Sequence, residues 1–353
     1  MKQNRKFLYG TLLGICIAGV AGFFYLSAII KQKYTAQIQL QQSQIDRQTA
    51  LLDSGRQVGM TNRMNIVLAN VSKELDQTRE RKLSDETIEQ IAALSYSFTS
   101  HLYLDYDGIP SNMRSPERGQ LLLLLSSMHI DTGCLKHIMK KTSFAGAILR
   151  DANLEGINLY GVNLQGADLQ DANLIGAHLD GANLSFANLW GADLHQANLA
   201  GANLKRADLS WSNLNGADLQ WTNLQEADLV AAKARKTKFR GSFLQWADLG
   251  GASLNEADLE NTDMFRCNLK KAQLENANLG GSILTYAILS EANLHGLNLA
   301  DAVLSNLIIS DQHWLKRLED WQVNGAFEIQ RKYKMIEAYS YENSKYQLIK
   351  TGN

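Results

Sequence analysis

From Thr142 to Asp311 the sequence repeats every five residues. The segment divides without insertion into 34 consecutive units, and the central residue is leucine in 29 of them. The residue two positions before the centre is alanine in 22 units. A period of five matches neither the 3.6 residues of an α-helical turn nor the two residues of a flat strand. It predicts coils in which the small residue and the leucine point inward while the next two residues turn a corner, so that neighbouring coils bury one another.

Units in the middle of this segment carry a family resemblance. ADLHQ, ANLAG, ANLKR and ADLSW, between residues 192 and 211, resemble the A(D/N)Lxx units of pentapeptide repeat proteins. The resemblance covers 170 of the 353 residues and implies an all-β solenoid, the right-handed quadrilateral β-helix with four units per coil. Residues twenty apart would then stack at about 4.8 Å, the spacing of neighbouring strands. The chain is also similar to membrane-anchored bacterial members with an ERGQLL-like helix before the repeats, here Glu117–Leu122.

Residues 1–30 predict an N-terminal transmembrane anchor. Phe7–Ile30 comprises 24 residues without a charge, enough for a helix to span a hydrocarbon core of about 30 Å. A cleaved signal peptide is disfavoured because its apolar core would be shorter and would end at small residues. Three basic side chains precede the run, namely Lys2, Arg5 and Lys6. They favour a single-pass cell membrane protein with a cytoplasmic N-terminus and its C-terminal rod outside the cytoplasm.

Residues 31–141 predict a helical juxtamembrane segment that ends in a cap for the first coil. Ser84, followed by two acidic residues, is a candidate helix N-cap, and Ser115 with Pro116 marks a second helix start. Residues 104–115 between these helices are expected to form a loop. Five consecutive leucines at 121–125 cannot all lie on one stripe of an exposed helix, so the helix over 116–129 is expected to pack against the repeats.

Residues 312–353 predict a second cap, built from a helix and a hairpin. Asp311 is a candidate N-cap for a helix over 311–321, with Trp314, Leu315 and Leu318 on one face. The alternating segments 333–341 and 345–350 are typical of a hairpin. Because an uncapped solenoid exposes unpaired strand edges that invite association, caps at both ends predict a monomer.

Stacking at an interval of twenty residues predicts a surface patch. Trp246, Arg266 and Tyr286 fall in one column, so that an arginine lies between two aromatic rings. Together with flanking apolar residues they give the candidate partner-binding residues Phe243, Trp246, Phe265, Arg266, Ile283 and Tyr286. Aromatic residues with arginine are typical of the centre of a protein interface. The alternative is a surface ladder whose members, which include Phe186, Arg206 and Glu226 in the same column, satisfy only one another.

Two charged clusters have competing interpretations. The stretch KARKTKFR, residues 233–240, carries five basic side chains, but stacked carboxylates are expected to neutralise them, so we expect no nucleic-acid binding. Asp208, Asp228 and Asp248 fall in another column. Such carboxylates either raise one another's pKa and recruit a cation, or each accepts a turn amide and faces water. We prefer the second interpretation.

Nothing in the sequence predicts catalysis. His101, His129 and His137 lie near Cys134 without the spacing of a zinc site or a catalytic triad. The sequence contains no phosphate-binding loop or dinucleotide fingerprint. Its three cysteines are isolated and indicate neither a disulfide framework nor a metal cluster. We therefore expect no enzyme, no metal site and no cofactor.

The remaining class of function is binding. We expect a membrane-anchored, non-enzymatic β-helical scaffold for protein–protein interaction or spacing, with an unidentified protein and the lipid bilayer, through Phe7–Ile30, as partners. The alternative is an acidic DNA-mimicking rod that binds a topoisomerase, as the resemblance implies for some soluble members. Residues 142–311 contain 19 acidic and 11 basic side chains, so the rod is only mildly acidic, and an anchored rod outside the cytoplasm would not reach a topoisomerase.

Overall fold

The computed structural model of the protein describes residues 59–98, 101–104, 110–337 and 346–351. The chain forms two compact units, Met1–Asn65 and Ile66–Asn353. In the first unit the described residues, 59–65, are helical. The predicted membrane span at Phe7–Ile30 lies outside the described residues, and none of the helices within them is long and apolar enough to cross a bilayer.

In the described part of the chain, four helices precede the repeats. Helix α1 covers residues 59–77, and it is followed by α2 (Asp85–Ser97), α3 (Pro116–Ser127) and α4 (Thr132–Lys141). The predicted N-caps are confirmed, since the hydroxyl of Ser84 accepts the N–H of Thr87 at 3.2 Å and that of Ser115 accepts the N–H of Arg118 at 3.3 Å. Each cap satisfies an amide that has no partner within its helix.

The expected loop over residues 104–115 was wrong in part. His101–Leu104 (β1) and Pro110–Arg114 (β2) form an antiparallel pair. Ser115, which follows β2, also pairs in parallel with Ala147 of the first coil, and its N–H donates to the carbonyl of Gly146 at 2.6 Å. Residues 110–114 are a strand because they pair with β1, and the edge of the first coil is covered by Ser115. The pairing with the first coil is not visible in a local sequence window.

Helix α3 packs directly on the first coil. A side chain at Gly119 would overlap the carbonyl oxygen of Ile148, so only glycine permits this close approach. Three of the five leucines are fully buried, namely Leu121, Leu122 and Leu125. Arg118 fixes the arrangement by donating to the carbonyls of Ser95, Phe98 and Ala145 at 3.2, 2.9 and 2.6 Å. Burial lowers the pKa of its guanidinium.

The repeats form coils of twenty residues, as predicted. In the unit centred on Leu199, the N–H of Leu199 donates to Asp218 at 2.7 Å in the next coil, and the N–H of Asn198 donates to Ala177 at 2.9 Å in the preceding coil. Parallel bridges between residues twenty apart run from Ile148↔Asp168 to Ile288↔Ile308. Each coil therefore has four faces, and each face is hydrogen-bonded along the whole stack.

The interior is closed by the central residues and by the small residues two positions before them. The central leucines are almost completely buried, and so are Ala234 and Phe239, two of the exceptions to leucine. We expected Phe239 or a local kink to compensate for the smaller Ala234. The N–H of Ala234 donates to Ser253 at 2.8 Å, so the ladder is regular there. The bulky Phe239, fully buried in the same coil, remains as the compensating residue.

Each corner has a fixed turn chemistry. The asparagine or aspartate just before the central residue accepts the N–H of the residue just after the central residue. Around Leu199, for example, Asn198 Oδ1 accepts from Ala200 at 3.1 Å. The next residue adopts a positive φ, for example +67° at Gly201. Glycine adopts this conformation without steric cost, whereas other residues are disfavoured there. The A(D/N)Lxx pattern thus encodes an inward alanine, a turn acceptor, an inward leucine and a corner.

The C-terminal cap contains two short helices and a three-stranded sheet. Ile308–Ile309 (β3) pairs with Tyr346–Lys350 (β5), which pairs with Tyr333–Glu337 (β4) in the predicted antiparallel hairpin. The joining of that hairpin to the last coil was not predicted. The cap also contains α5 (Trp314–Arg317) and α6 (Ala326–Lys332).

The predicted helix over 311–321 was wrong in its length and its cap. Asp311 does not cap α5, because its Oδ1 accepts the N–H of His313 at 2.8 Å in a turn before the helix. A short α5 nevertheless buries Trp314 and Leu318, two of the three residues expected on its inner face, while Leu315 is half-buried.

Candidate interaction site

The six candidate partner-binding residues lie on one face of the β-helix, on three successive coils. We call them the aromatic patch: Phe243, Trp246, Phe265, Arg266, Ile283 and Tyr286. They belong to the units centred on Leu244, Met264 and Leu284, whose bridges stack Phe243, Asp263 and Ile283 in register. The structure therefore brings together all six residues that the sequence pattern selected.

Arg266 joins the aromatic rings of the patch. Its guanidinium carbon lies 4.5 Å from the ring centre of Trp246 and 5.4 Å from the ring centres of Phe265 and Tyr286. Phe265 meets the rings of Trp246 and Tyr286 edge-on, each at 6.0 Å between centroids. These distances are those of cation–π and T-shaped aromatic contacts. The patch is therefore held in one arrangement before any partner arrives.

These internal contacts leave much of the patch exposed. Trp246 is 52% exposed, Phe243 47% and Ile283 41%. A ladder that satisfied only its own members would cover its apolar surface, whereas contiguous exposed aromatic area is typical of interaction sites. The exposed fractions favour a binding surface over the alternative of a self-satisfied ladder.

The patch departs from the turn chemistry of the repeats. Phe243 and Ile283 occupy the position of the turn acceptor, and the N–H groups of Gln245 and Thr285 have no acceptor among the described residues. Asp263 lies between them and keeps the usual bond, accepting the N–H of Phe265 at 3.1 Å. Two coils thus lack this turn hydrogen bond on the face of the patch.

A comparison within the protein shows that such a loss can be compensated. Lys233 also replaces the turn acceptor of its unit, but the N–H of Arg235 donates to Asn215 Oδ1 of the preceding coil at 2.8 Å. Phe243 and Ile283 have no such substitute among the described residues. Phe243 and Ile283 thus lose the turn hydrogen bond without a substitute, as Ser253 and Ile288 do on other faces of the described repeats.

The corner residues of the patch are also conformationally unfavourable. Trp246, Arg266 and Tyr286 have φ values of +63°, +55° and +60°. This left-handed conformation costs a non-glycine residue about 1 kcal/mol or more. Most units of the repeats have a non-glycine residue at this corner, including Trp211 and Glu226, so the conformation alone does not set the patch apart.

Two exposed residues next to the patch were missed. The ring of Trp221 lies directly over Gly241, two residues before Phe243, and Trp221 is 65% exposed. Val303 pairs with Ile283 one coil further on and is also exposed. The interval of twenty residues contained both signals, since Trp221 precedes Gly241 and Val303 follows Ile283 by that distance. They extend the apolar surface along the same face.

The other end of the predicted column is neutralised. Arg206 lies over the ring of Phe186 at 5.7 Å and pairs with Glu226, with 2.6 Å between Nη2 and Oε2. The hydrogen bond from Arg206 is the main reason why the pKa of Glu226 is lowered. Here the column follows the self-satisfied interpretation, so the patch begins at Trp246.

Four of the five basic side chains in the stretch 233–240 are neutralised in the predicted way, and the fifth, Lys233, forms no ion pair with a described residue. Arg235 and Lys236 contact Glu256 at 2.5 and 3.3 Å, and Lys238 contacts Asp218 at 3.7 Å. Arg240 completes the set by pairing with Asp258 and Glu260. A phosphate backbone would have to displace these carboxylates, so the stretch is a poor nucleic-acid site.

The aspartate column follows the turn-capping interpretation. Oδ1 atoms of Asp208, Asp228 and Asp248 accept the N–H groups of Ser210, Val230 and Gly250 at 2.8 to 2.9 Å. Burial is the main cause that raises the pKa of Asp228, and the charges of Asp208 and Asp248 raise it further. Within the described part of the chain, no three His, Cys, Asp or Glu side chains are grouped so that they could hold a metal ion.

The histidines and the cysteine of the helical segment do not converge on one site. His129 and His137 are exposed, and the side chain of His101 lies outside the described residues. Cys134 Sγ accepts the N–H of Leu83 at 3.4 Å, and burial raises the pKa of its thiol. Cys134 therefore contributes to the packing of the helices, whereas His129 and His137 face solvent.

Comparison with known families agrees with the coil geometry. The profile of the family described as pentapeptide repeats matches in eight copies, which together run from residue 138 to residue 308. The chain belongs to the pentapeptide repeat family. A search of curated proteins finds no match.

Solved structures similar to this pentapeptide repeat protein include HetL, a pentapeptide repeat protein involved in heterocyst differentiation regulation from the cyanobacterium Nostoc sp. strain PCC 7120. It is 33% identical over 48% of this chain and 85% of its own, with a TM-score of 0.24. Full-length QnrB1, a plasmid-mediated fluoroquinolone resistance protein, is 16% identical over 48% and 95%, with a TM-score of 0.27. Rfr23 from the cyanobacterium Cyanothece 51142 is 25% identical over 37% and 90%, with a TM-score of 0.24.

Membership of the family fixes the class of site to look for. The pentapeptide repeat fold is the right-handed β-helix, and its proteins are typically structural or binding proteins without enzymatic activity. In such a protein the interior is filled by repeat residues, so function depends on what the outer faces present. The aromatic patch is the face of this pentapeptide repeat protein that departs most from the repeat pattern.

Proposed function

We propose that this pentapeptide repeat protein is a membrane-anchored, monomeric scaffold that binds a protein partner through the aromatic patch and performs no chemistry of its own. Phe7–Ile30 would hold it in the cell membrane, with the N-terminus in the cytoplasm and the repeats outside. The apolar length of that segment and the basic residues before it support the anchor and its orientation.

One observation carries the proposal. Phe243 and Ile283 stand where the repeats need an asparagine or aspartate, and the amides that they leave without an acceptor have no substitute in the described residues. Among the described residues the same amide also lacks an acceptor at Arg240, Asn255 and Ser290 on other faces, but only here do the apolar replacements Phe243 and Ile283 stand beside the exposed Trp246 and Tyr286. Stability has been given up where apolar surface is displayed, which is the relation expected at a binding site.

The chemistry of the patch also fits the centre of an interface. Tryptophan, tyrosine and arginine carry most of the binding energy in protein complexes. Arg266 holds its neighbours in place through contacts of 4.5 to 5.4 Å. Because these side chains are already ordered, they lose less conformational freedom when a partner docks.

A DNA-mimicking rod that binds a topoisomerase is the weaker alternative. Such a rod needs a continuous row of free carboxylates, whereas Asp218, Glu256, Asp258 and Glu260 lie in ion pairs with the basic stretch 233–240. Opposite charges at this spacing cancel the field that a DNA-binding enzyme would recognise.

Crosslinking in intact membranes tests the binding proposal. A photo-reactive amino acid replaces Thr285, which lies inside the patch, and partners are recovered through an affinity tag and identified by mass spectrometry. The double variant Trp246→Ser, Phe265→Ser is expected to lose the crosslinked partner at least about tenfold. Because the variant also loses the contacts of both rings with Arg266, its melting temperature is expected to fall by about 3–6 °C while the fold is retained.

The matched control is Trp211→Ser. Trp211 is 62% exposed and has a φ of +61°, so it shares the exposure and the corner conformation of Trp246, but it lies on a different face. It should keep the partner. A partner that survives the double variant, or that is lost equally in the control, would contradict the assignment of the patch.

The orientation is tested separately. Reporter enzymes that fold only inside or only outside the cytoplasm are fused after Asn353. Activity of the external reporter supports the proposed orientation. Activity of the internal reporter places the repeats in the cytoplasm and returns the topoisomerase alternative to consideration.

A further inference from the structure

An open groove lies at the C-terminal end of the aromatic patch. It has a volume of about 580 Å³ and is bounded by the last coil, α6 and the strands of the C-terminal cap. The last coil contributes Val303 and Ser305, and the cap contributes Arg331, Lys332 and Lys350. We call this feature the basic groove.

The basic groove is continuous with the patch. Val303 forms a parallel bridge with Ile283, a member of the patch, and the N–H of Tyr286 donates to the carbonyl of Ser305 at 3.2 Å. Val303 is 41% exposed, so apolar surface extends without a break from the aromatic rings to the rim of the groove. A partner that covers the patch reaches the groove one coil further along.

The basic side chains of the groove are not neutralised. Arg331, Lys332 and Lys350 are exposed and form no ion pair with any residue in the described ranges. This differs from the stretch 233–240, where carboxylates contact the basic side chains. Among the lining residues that the structure describes, Asp301 is the one carboxylate. The groove therefore carries a net positive charge that an anionic group can neutralise.

The groove also presents a hydrogen-bond donor. Val303 stands in the turn-acceptor position, and the N–H of Ser305 has no acceptor among the described residues. A backbone N–H next to three cationic side chains is an arrangement suited to a carboxylate. The base of the groove is fixed, because Thr351 donates its N–H and its hydroxyl to the carbonyl of Lys332, at 2.8 and 3.0 Å.

We infer that the patch and the basic groove together bind one protein segment, in which a cluster of apolar or aromatic side chains adjoins a run of acidic side chains. The apolar part covers Trp246, Phe265 and Ile283, and the carboxylates enter the groove beside Lys332 and Lys350. This inference rests on the proposed function and adds to it the chemistry of the partner segment. Charge complementarity of this kind sets specificity and register.

A random library of 16-residue peptides displayed on phage supplies the probe. The full-length chain in mild detergent is the target, and binders to the variant Trp246→Ser, Phe265→Ser are removed at each round. Enriched peptides are synthesised, and their affinities are measured by fluorescence anisotropy at low and high salt. We expect enrichment of sequences with an aromatic or aliphatic cluster and a run of Asp or Glu to one side.

Charge reversal in the groove is the deciding measurement. Lys332→Glu with Lys350→Glu is expected to weaken these peptides at least about tenfold and to reduce their dependence on salt. The exchanges leave the backbone bonds of Thr351 in place. Lys316→Glu is the matched control, because Lys316 is an exposed basic residue of the same cap outside the groove. It should leave the affinities unchanged.

The other outcomes separate the two proposals. Peptides that require Trp246 but carry no acidic run, or that bind the charge-reversed protein equally well, overturn the groove and leave the patch in place. Failure to enrich any peptide overturns both. Charge-sensitive binding to phosphatidylserine vesicles without such peptides, or charge-sensitive self-association in light scattering, would assign the groove to lipid or to a second copy and overturn the inference.

Discussion

The guanidinium carbon of Arg266 lies 4.5 Å from the centre of the Trp246 ring, although twenty residues separate the two along the chain. One coil of the β-helix brings them together, and the next coil places Tyr286 on the other side at 5.4 Å. Each such contact joins neighbouring coils outside the backbone ladder. The same side chains therefore contribute to the cohesion of the coils and to the exposed surface that a partner would meet.

Removing the charge of Arg266 should weaken that cohesion. Arg266→Gln keeps the unfavourable corner conformation and loses the cation between the rings. We expect the free energy of unfolding to fall by about 0.5–1 kcal/mol, as for an exposed cation–π contact. Denaturant titration followed by circular dichroism measures the change. An unchanged midpoint would show that the three rings pack equally well without the cation.

Restoring the repeat pattern at Phe243 should separate stability from binding. In Phe243→Asn, the new Oδ1 accepts the N–H of Gln245 in the way that Asn223 accepts from Gln225 at 3.1 Å. We expect the protein to gain about 0.5–1.5 kcal/mol of stability and to lose affinity for its partner. Thermal unfolding and the crosslinking assay measure the two quantities on the same sample. Lower stability would contradict the view that phenylalanine is kept there for binding.

Gly119 should not tolerate even a methyl group. Glycine to alanine in a helix interior ordinarily stabilises by about 1 kcal/mol. In Gly119→Ala the methyl group meets the carbonyl of Ile148, so we expect a loss of about 1–3 kcal/mol as α3 moves away from the first coil. Gly133→Ala is the control, because its methyl group meets a side-chain oxygen of Asp131 at 3.2 Å and no backbone atom outside its own helix within 4 Å. Differential scanning calorimetry distinguishes the two.

Asp168 ties the N-terminal cap to the repeats. Its fully buried carboxylate contacts Arg114 at 2.9 Å, also contacts Arg150, and accepts from Asn188 at 2.9 Å. Asp168→Asn removes a fully buried negative charge from Arg114, whose side chain is 12% exposed, and from Arg150, so a loss of about 3–5 kcal/mol is expected. Arg150→Gln removes a partner that is 33% exposed and should cost less. Equal losses in the two unfolding experiments would refute this order.

The raised pKa of Asp228 predicts a dependence of stability on pH. Burial, and then the charges of Asp208 and Asp248, disfavour its ionised form in the folded state. The penalty is fully present above the folded-state pKa, and it is relieved as the pH falls through that value towards the ordinary aspartate pKa of about 3.9. Wild-type stability is therefore reduced by this group at neutral pH and not in acid.

Asp228→Asn should remove the penalty while keeping the turn acceptor. We expect the variant to exceed the wild type by about 0.2–1 kcal/mol at pH 7, with the difference vanishing below about pH 3. Urea titrations at several pH values measure it. In the control Asp193→Asn, the stacked neighbours Asn173 and Asn213 are uncharged, so no such gain should appear. A gain that grows in acid would contradict the assigned cause.

The patch was predictable because it depends on one regular interval. Trp246, Arg266 and Tyr286 could be placed together from the period of twenty residues, and the structure shows the contacts. Trp221 and Val303 belong to the same interval but were missed, since each stands next to the column rather than within it. The interval gives positions on a face, and side-chain direction decides which of them meet.

The cap elements were less predictable because their partners are distant. β2 was expected to be part of a loop, and it is a strand because it pairs with β1, while Ser115 after it pairs with Ala147 of the first coil. The hairpin of β4 and β5 was visible in alternating residues, but its pairing with Ile308–Ile309 was not. Pairing of this kind depends on edge amides and carbonyls of the solenoid, which carry no sequence signal of their own.

By itself, the sequence determined the β-helix. Nearly every unit repeats the same local pattern of an inward small residue, a turn acceptor, an inward leucine and a corner. The 34 units together therefore specify one long-range structure. Only the tertiary structure decided what lies at the end of the aromatic patch. The basic groove exists because Tyr333 supplies its hydroxyl oxygen to the N–H of Leu304 at 3.1 Å and β5 pairs with the last coil. Docking of this kind depends on shape and unpaired backbone groups, which no periodicity encodes.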